Sequence, residues 1–157
     1  MIDVGKVGRT MTRNIVLGLV AAGLLFSGVS RATQLITEEE AKLPPPKGAV
    51  AADRRGILRG PKVEFVSPGD SISSPMRLQL KFESFGGAKI DPESVKVIFL
   101  RTPNVDLTSR VKPFVQADGI NMQDAELPPG DYTVRVDIKD SDGRPGTAIF
   151  TLKVAPK

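Results

Sequence analysis

The sequence predicts an all-β sandwich of about seven short strands, carried behind a secretory signal and a flexible tether. Three observations point there. From residue 61 onward apolar and polar side chains alternate with a period of two. Clusters of Gly, Pro, Asp and Ser divide that region into short runs. The one long apolar stretch lies near the N-terminus, behind basic residues. The organisation read from the 157 residues is a signal at 1–32, a Pro-rich basic linker at 33–60 and a domain at 61–157.

Residues 1–14 are basic and lack apolar periodicity, and Ile15–Phe26 is an unbroken run of apolar residues and Gly. Small and polar residues follow through Ala32, which completes the three-part layout of a signal peptide. A spanning helix needs about 20 apolar residues, and this run is nearer the roughly 7–15 of a signal. Ser30 and Ala32 suit cleavage after Ala32, and Gly28 and Ser30 suit cleavage after Ser30. No Cys follows, which excludes a lipoprotein signal, and Arg9 and Arg13 are not adjacent, which argues against twin-arginine export. Translation from Met1 or from Met11 gives a complete signal. The compartment expected is the bacterial periplasm or the exterior, with membrane attachment only if the apolar run is retained.

Thr37-Glu38-Glu39-Glu40 has capping-box spacing, and Glu38 and Lys42 stand four apart, so a helical turn or two is expected. Pro44-Pro45-Pro46 ends it. Gly48 to Gly60 is small and basic, with Arg54, Arg55 and Arg59 against Asp53. Residues 33–60 therefore read as an extended, mostly disordered spacer.

Strands follow. Met76, Leu78, Leu80 and Phe82 alternate with Arg77, Gln79, Lys81 and Glu83. Val95, Val97 and Phe99 mark another strand. Tyr132, Val134, Val136 and Ile138 alternate with polar neighbours, as do Ala148, Phe150, Leu152 and Val154 with Thr147, Ile149, Thr151 and Lys153. Weaker strands are expected at 62–66, 111–115 and 119–125. Asp140 to Gly146 links the last two strands as a hairpin. Even spacing over about 100 residues suits a sandwich of immunoglobulin type, with a small closed barrel as the alternative.

The opening VEFVSPGDSISSP, the strand LQLKF, the segment IDPESVKV and the closing LPPGDYTVRVDIKDSDGRPGTAIFTLKV together resemble a bacterial immunoglobulin-like domain. Tyr132, after the Pro-Pro-Gly turn, sits where such sandwiches place a tyrosine corner, which assigns it a structural role. The outline is also similar to the periplasmic copper carriers of the copper-resistance family, through the Ser-Pro opening, the Pro-Gly-x-Tyr turn and the closing Asp-x-x-Gly hairpin. That family holds copper largely through His, and this chain has none. The scaffold is similar, and the metal chemistry does not carry over.

Composition narrows the functions. The chain has no Cys, His or Trp. Disulfides, thiolate and imidazole metal sites, Cys nucleophiles and His-dependent triads are excluded. Of the net charge of +4, much sits in residues 1–32, where Lys6, Arg9, Arg13 and Arg31 face only Asp3. Residues 61–157 balance at 13 basic and 13 acidic, so nucleic acid is not an expected partner.

Asp137, Asp140 and Asp142 with Gly143 invite a Ca²⁺ reading, although the register excludes an EF-hand and a polar hairpin uses the same residues. Ile98, Leu100 and Ile149 fall on the outward register and are the candidate partner-binding residues. Alternatively the tether or a neighbouring loop covers them. Strand addition at a sheet edge is the expected mode if they are exposed. No catalytic residues and no cofactor are implied. The expectation is an exported, noncatalytic interaction or structural module that binds another envelope protein; the alternative is a carrier of a small ligand or metal.

Overall fold

The computed structural model describes residues 32–48, 60–66 and 72–156. The expected signal therefore lies, apart from Ala32, outside the described residues. In chain order the elements are β1 (Thr33–Gln34), α1 (Glu38–Ala41), β2 (Lys62–Phe65), β3 (Ile72–Ser73), β4 (Met76–Glu83), β5 (Ile90–Phe99), β6 (Val105–Asp106), α2 (Thr108–Val111), β7 (Val115–Gln116), β8 (Gly119–Glu126), β9 (Gly130–Asp140) and β10 (Pro145–Ala155). One sheet runs β1-β8-β4-β2, with β7 also on β8; the other runs β3-β10-β9-β5-β6. Two separate sheets make the architecture an all-β sandwich rather than a closed barrel.

The period-two pattern forms the core. Met76, Leu78, Leu80 and Phe82 of β4 are buried, and so are Tyr132, Val134, Val136 and Ile138 of β9. Leu152 and Val154 of β10 are buried as well, whereas Phe150 is half-buried and stacks on Phe65 of β2, ring centroids 4.9 Å apart. That contact sits where the first sheet turns onto the second. Gly60 and Gly146 permit the crossing: a Cβ on Gly60 would strike the carbonyl of Pro145, and one on Gly146 the carbonyl of Pro61.

Two expectations are corrected. The segment expected as a strand over 111–115 is mostly helical. Thr108–Val111 forms a helical turn, Lys112–Phe114 continues as a 3₁₀ turn, and only Val115 begins a strand. Val111 and Val115 carry β-branched side chains, but Pro113 cannot donate to a ladder, and Asp106 accepts the Thr108 N–H to start the turn.

The second correction concerns the spacer. Its first half, residues 33–48, packs onto the domain. Thr33 and Gln34 pair in parallel with Ala125 and Glu126. Leu35 and Ile36 are buried in the core at 1% and 0% exposure. Burying two such side chains contributes about 3–6 kcal/mol, which offsets much of the cost of ordering so short a segment. Thr37 then caps α1, accepting the Glu40 N–H while its own N–H donates to the Glu40 carboxylate. Arg110 of α2 donates to both Glu40 oxygens at 2.7 Å and to the Leu35 carbonyl at 2.8 Å. Farther on, Thr102 donates to the carbonyls of Pro44 and Pro45.

Replacing Ile36 by Ala is expected to cost about 2–5 kcal/mol in urea denaturation, the range for truncating a core aliphatic residue. A free spacer would show no change. Acid should weaken the same attachment. The Arg110 guanidinium holds the Glu40 carboxyl at about 2, against the burial that would raise it. A pKa lowered on folding stabilises above the unfolded value of about 4.5 and loses that contribution as pH falls toward about 2. The loss is on the order of 2–3 kcal/mol. Denaturation midpoints measured at neutral pH and near pH 3 should converge between wild type and Glu40→Gln; an unchanged gap would remove Glu40 from the account.

Candidate functional site

The outward face of the second sheet collects the three apolar residues singled out from the sequence. Register places Ile98 of β5 opposite Arg135 of β9, and Arg135 opposite Ile149 of β10, so the three form one cross-strand row. The next row is Lys96, Asp137 and Thr147. On the other side Leu100 follows β5 and donates its N–H to the Thr133 carbonyl. Asp137 fixes the middle of the face. Its carboxylate accepts from Arg135 Nε at 3.1 Å and from the Thr147 hydroxyl at 2.8 Å.

Ile98 and Ile149 are half-buried, not open, and Leu100 is buried at 7% exposure, which accords with the alternative that the tether or a neighbouring loop covers them. The cause is the chain before β2. Pro46, Lys47 and Gly48 line one cavity with Leu100, Arg135, Thr147 and Ile149, and the loop 101–104 lines it too. The cavity has a volume of about 580 Å³. The Thr102 bonds to Pro44 and Pro45 keep the Pro-rich segment over this face. Reading the sequence found the residues of the face and named the tether as one of two possible covers, but polyproline carries no periodicity that says which part of it lies there.

Arg101 also lines this cavity and was not singled out from the sequence. Its guanidinium lies 5.0 Å from the centroid of the buried Phe99 ring, and one nitrogen donates to the Asp131 carbonyl. Its Nε is buried without a partner among the described residues.

The hairpin aspartates do not converge. Among the described residues no three Asp or Glu side chains are grouped to hold a cation. Asp137 faces Arg135 and Thr147 on the sheet surface. Asp140 is buried in the hairpin, where it accepts the N–H groups of Asp142 and Arg144 and the Nε of Arg144. Burial alone would raise its pKa, but the Arg144 amide and guanidinium outweigh it and hold the carboxyl below its ordinary value. Asp142 pairs with the other end of Arg144 at 2.9 Å. Gly143 supplies the positive φ of 77° that closes the turn. Arg144 thus takes the place that the Ca²⁺ reading gave to a cation.

Tyr132 lies in the core at 1% exposure. Its hydroxyl donates to the Pro128 carbonyl at 2.7 Å, and its ring tilts against Phe99 with centroids 5.5 Å apart. Burial pushes the phenol's pKa up, with Arg101 acting the other way. Met76 and Met122 are also core residues, at 3% and 0% exposure.

The sheet edges are capped by short strands. Among the described residues the two-residue strands β3 and β6 pair with only two residues each of β10 and β5, and the first sheet ends in β1 on one side and the four-residue β2 on the other. Short edge strands are poor templates for pairing.

No protein-family model matches the chain, and a search of curated proteins finds no match. Among solved structures, the crystal structure of CopC from Methylosinus trichosporium OB3b aligns with a TM-score of 0.40 and 20% identity, covering 60% of this chain and 94% of that one. No helix among the described residues is long and apolar enough to cross a membrane.

Tyr132→Phe should destabilise the domain by about 1 kcal/mol, the net size of one hydrogen bond. Tyr132→Ala should cost about 3–5 kcal/mol. Thermal denaturation of both variants checks this: near wild-type melting temperatures would show that the ring is not needed for packing.

Proposed function

We propose that the chain is an exported, noncatalytic module of the bacterial envelope that contacts a protein partner through the outer face of β5, β9 and β10. The observation that carries this reading is the row Ile98–Arg135–Ile149, which places half-buried apolar side chains around an arginine beside a walled cavity. Apolar residues flanking arginine at a partly desolvated surface suit a protein contact. The signal-like layout of residues 1–32 supports export.

The titratable groups favour binding over catalysis. Glu40, Asp106 and Asp140 all have lowered pKa values, each set by hydrogen bonds from arginine or from nearby Thr, Asp and backbone donors. A general acid or base working near neutral pH needs the opposite shift. A small-ligand carrier is the second reading. It rests on the cavity of about 580 Å³, which lies within the roughly 300–1,000 Å³ of ligand sites. The absence of His and Cys from the sequence argues against a soft-metal cargo.

Site-specific photocrosslinking in the native envelope separates the readings. A photoreactive residue in place of Ile149 should give a protein adduct, and one in place of Gln79, on the outside of the other sheet, should not. Adducts from both positions or from neither would remove the face assignment; a carrier would give none.

A further inference from the structure

We infer that the walled cavity on this face receives an extended, acidic segment of the partner, with apolar side chains alternating with carboxylates. The inference rests on the protein-binding reading above and gives that partner its chemistry. Its first support is charge. Among the described residues the cavity is lined by three cations, Lys47, Arg101 and Arg135, and by no carboxylate. Only Arg135 has an acidic partner among the described residues, Asp137 at 3.1 Å. Lys47 is exposed and makes no ion pair among them. Arg101 is held by the Phe99 ring and a backbone carbonyl rather than by a carboxylate, so its charge is not neutralised locally. The cluster stands out because residues 61–157 carry equal numbers of acids and bases.

The second support is shape and polarity. Leu100 and Ile149 give the cavity an apolar floor, and the Pro46–Gly48 segment lies over it as a wall. A channel between a sheet face and a neighbouring segment accommodates one extended strand of chain. Side chains of such a strand alternate in direction, so apolar groups face Leu100 and Ile149 while intervening carboxylates reach the cations. Arg101, preset by its ring, loses little freedom on engaging a carboxylate. A nucleic-acid backbone has the right sign but brings no apolar groups to the floor.

Short peptides added to the full chain test this. The probe alternates glutamate with leucine; its counterpart alternates lysine with leucine. Fluorescence anisotropy should show binding of the acidic probe that weakens as salt rises, and no binding of the basic one. The signals of Leu100 and Ile149 should shift in methyl NMR spectra. Lys47→Glu, which removes an exposed cation without an ion pair, should weaken binding about tenfold with an unchanged melting temperature. Arg135→Glu should weaken it further. Equal binding of both peptides, or indifference to Lys47→Glu, overturns the inference. A protein adduct at position 149 together with failure of the acidic probe overturns the partner's chemistry alone. Absence of both overturns the face assignment as well.

Discussion

Arg110 donates to both oxygens of Glu40 and to the carbonyl of Leu35, and so joins a helical turn in the middle of the chain to the segment before the sandwich. The geometry is specific. A planar guanidinium meets a planar carboxylate in two parallel bonds, which a lysine could not reproduce. The carboxylate is also the third residue of a capping box, so Thr37 fixes it from the other side. With that pair in place, Leu35 and Ile36 stay in the core and the prolines that follow start from a fixed point. Without it, the wall of the cavity loses its anchor. Removing one partner of a desolvated pair leaves an uncompensated charge, the more costly way to break it.

The outer face depends on that anchor through two steps. The capped turn sets the direction of residues 44–48, and Thr102 captures their carbonyls. A sheet surface that would otherwise be flat becomes a walled one. Its chemistry comes from strands far apart in sequence: β5 supplies Ile98, β9 supplies Arg135 and Asp137, and β10 supplies Thr147 and Ile149. Asp137 holds the arginine toward the row through the same carboxylate that engages Thr147. The core beneath is filled by aliphatic side chains, by Met76, Met122 and Phe82, and by the Phe99–Tyr132 pair.

Much of this was legible from side-chain periodicity. Strands β4, β8, β9 and β10, the sandwich class and the buried ring of Tyr132 all follow from alternation and turn chemistry, because burial acts on each strand locally. The capping box at Thr37 was legible for the same reason. The docking of 33–48 was not. Leu35 and Ile36 are adjacent, so they show no period, and their partners lie on β8 and α2, far along the chain. The helical turn at 108–114 was misread because β-branched valines suggest a strand, while the deciding features are Pro113 and the carboxylate of Asp106. For the face, register identified Ile98, Leu100 and Ile149, but Arg101 and the proline wall owe their positions to tertiary contacts.

The parallel pairing of β1 with the end of β8 also sets an order of events. A ribosome makes residues 33–36 early and their partners, Ala125 and Glu126, late. Until the later residues emerge, Leu35 and Ile36 have no pocket and remain an exposed sticky pair. The sandwich strands β9 and β10, neighbours in sequence, can zip together by a local hairpin as soon as both are available. Closure of the N-terminal segment is therefore a long-range step, with a larger loop entropy to overcome than the hairpin.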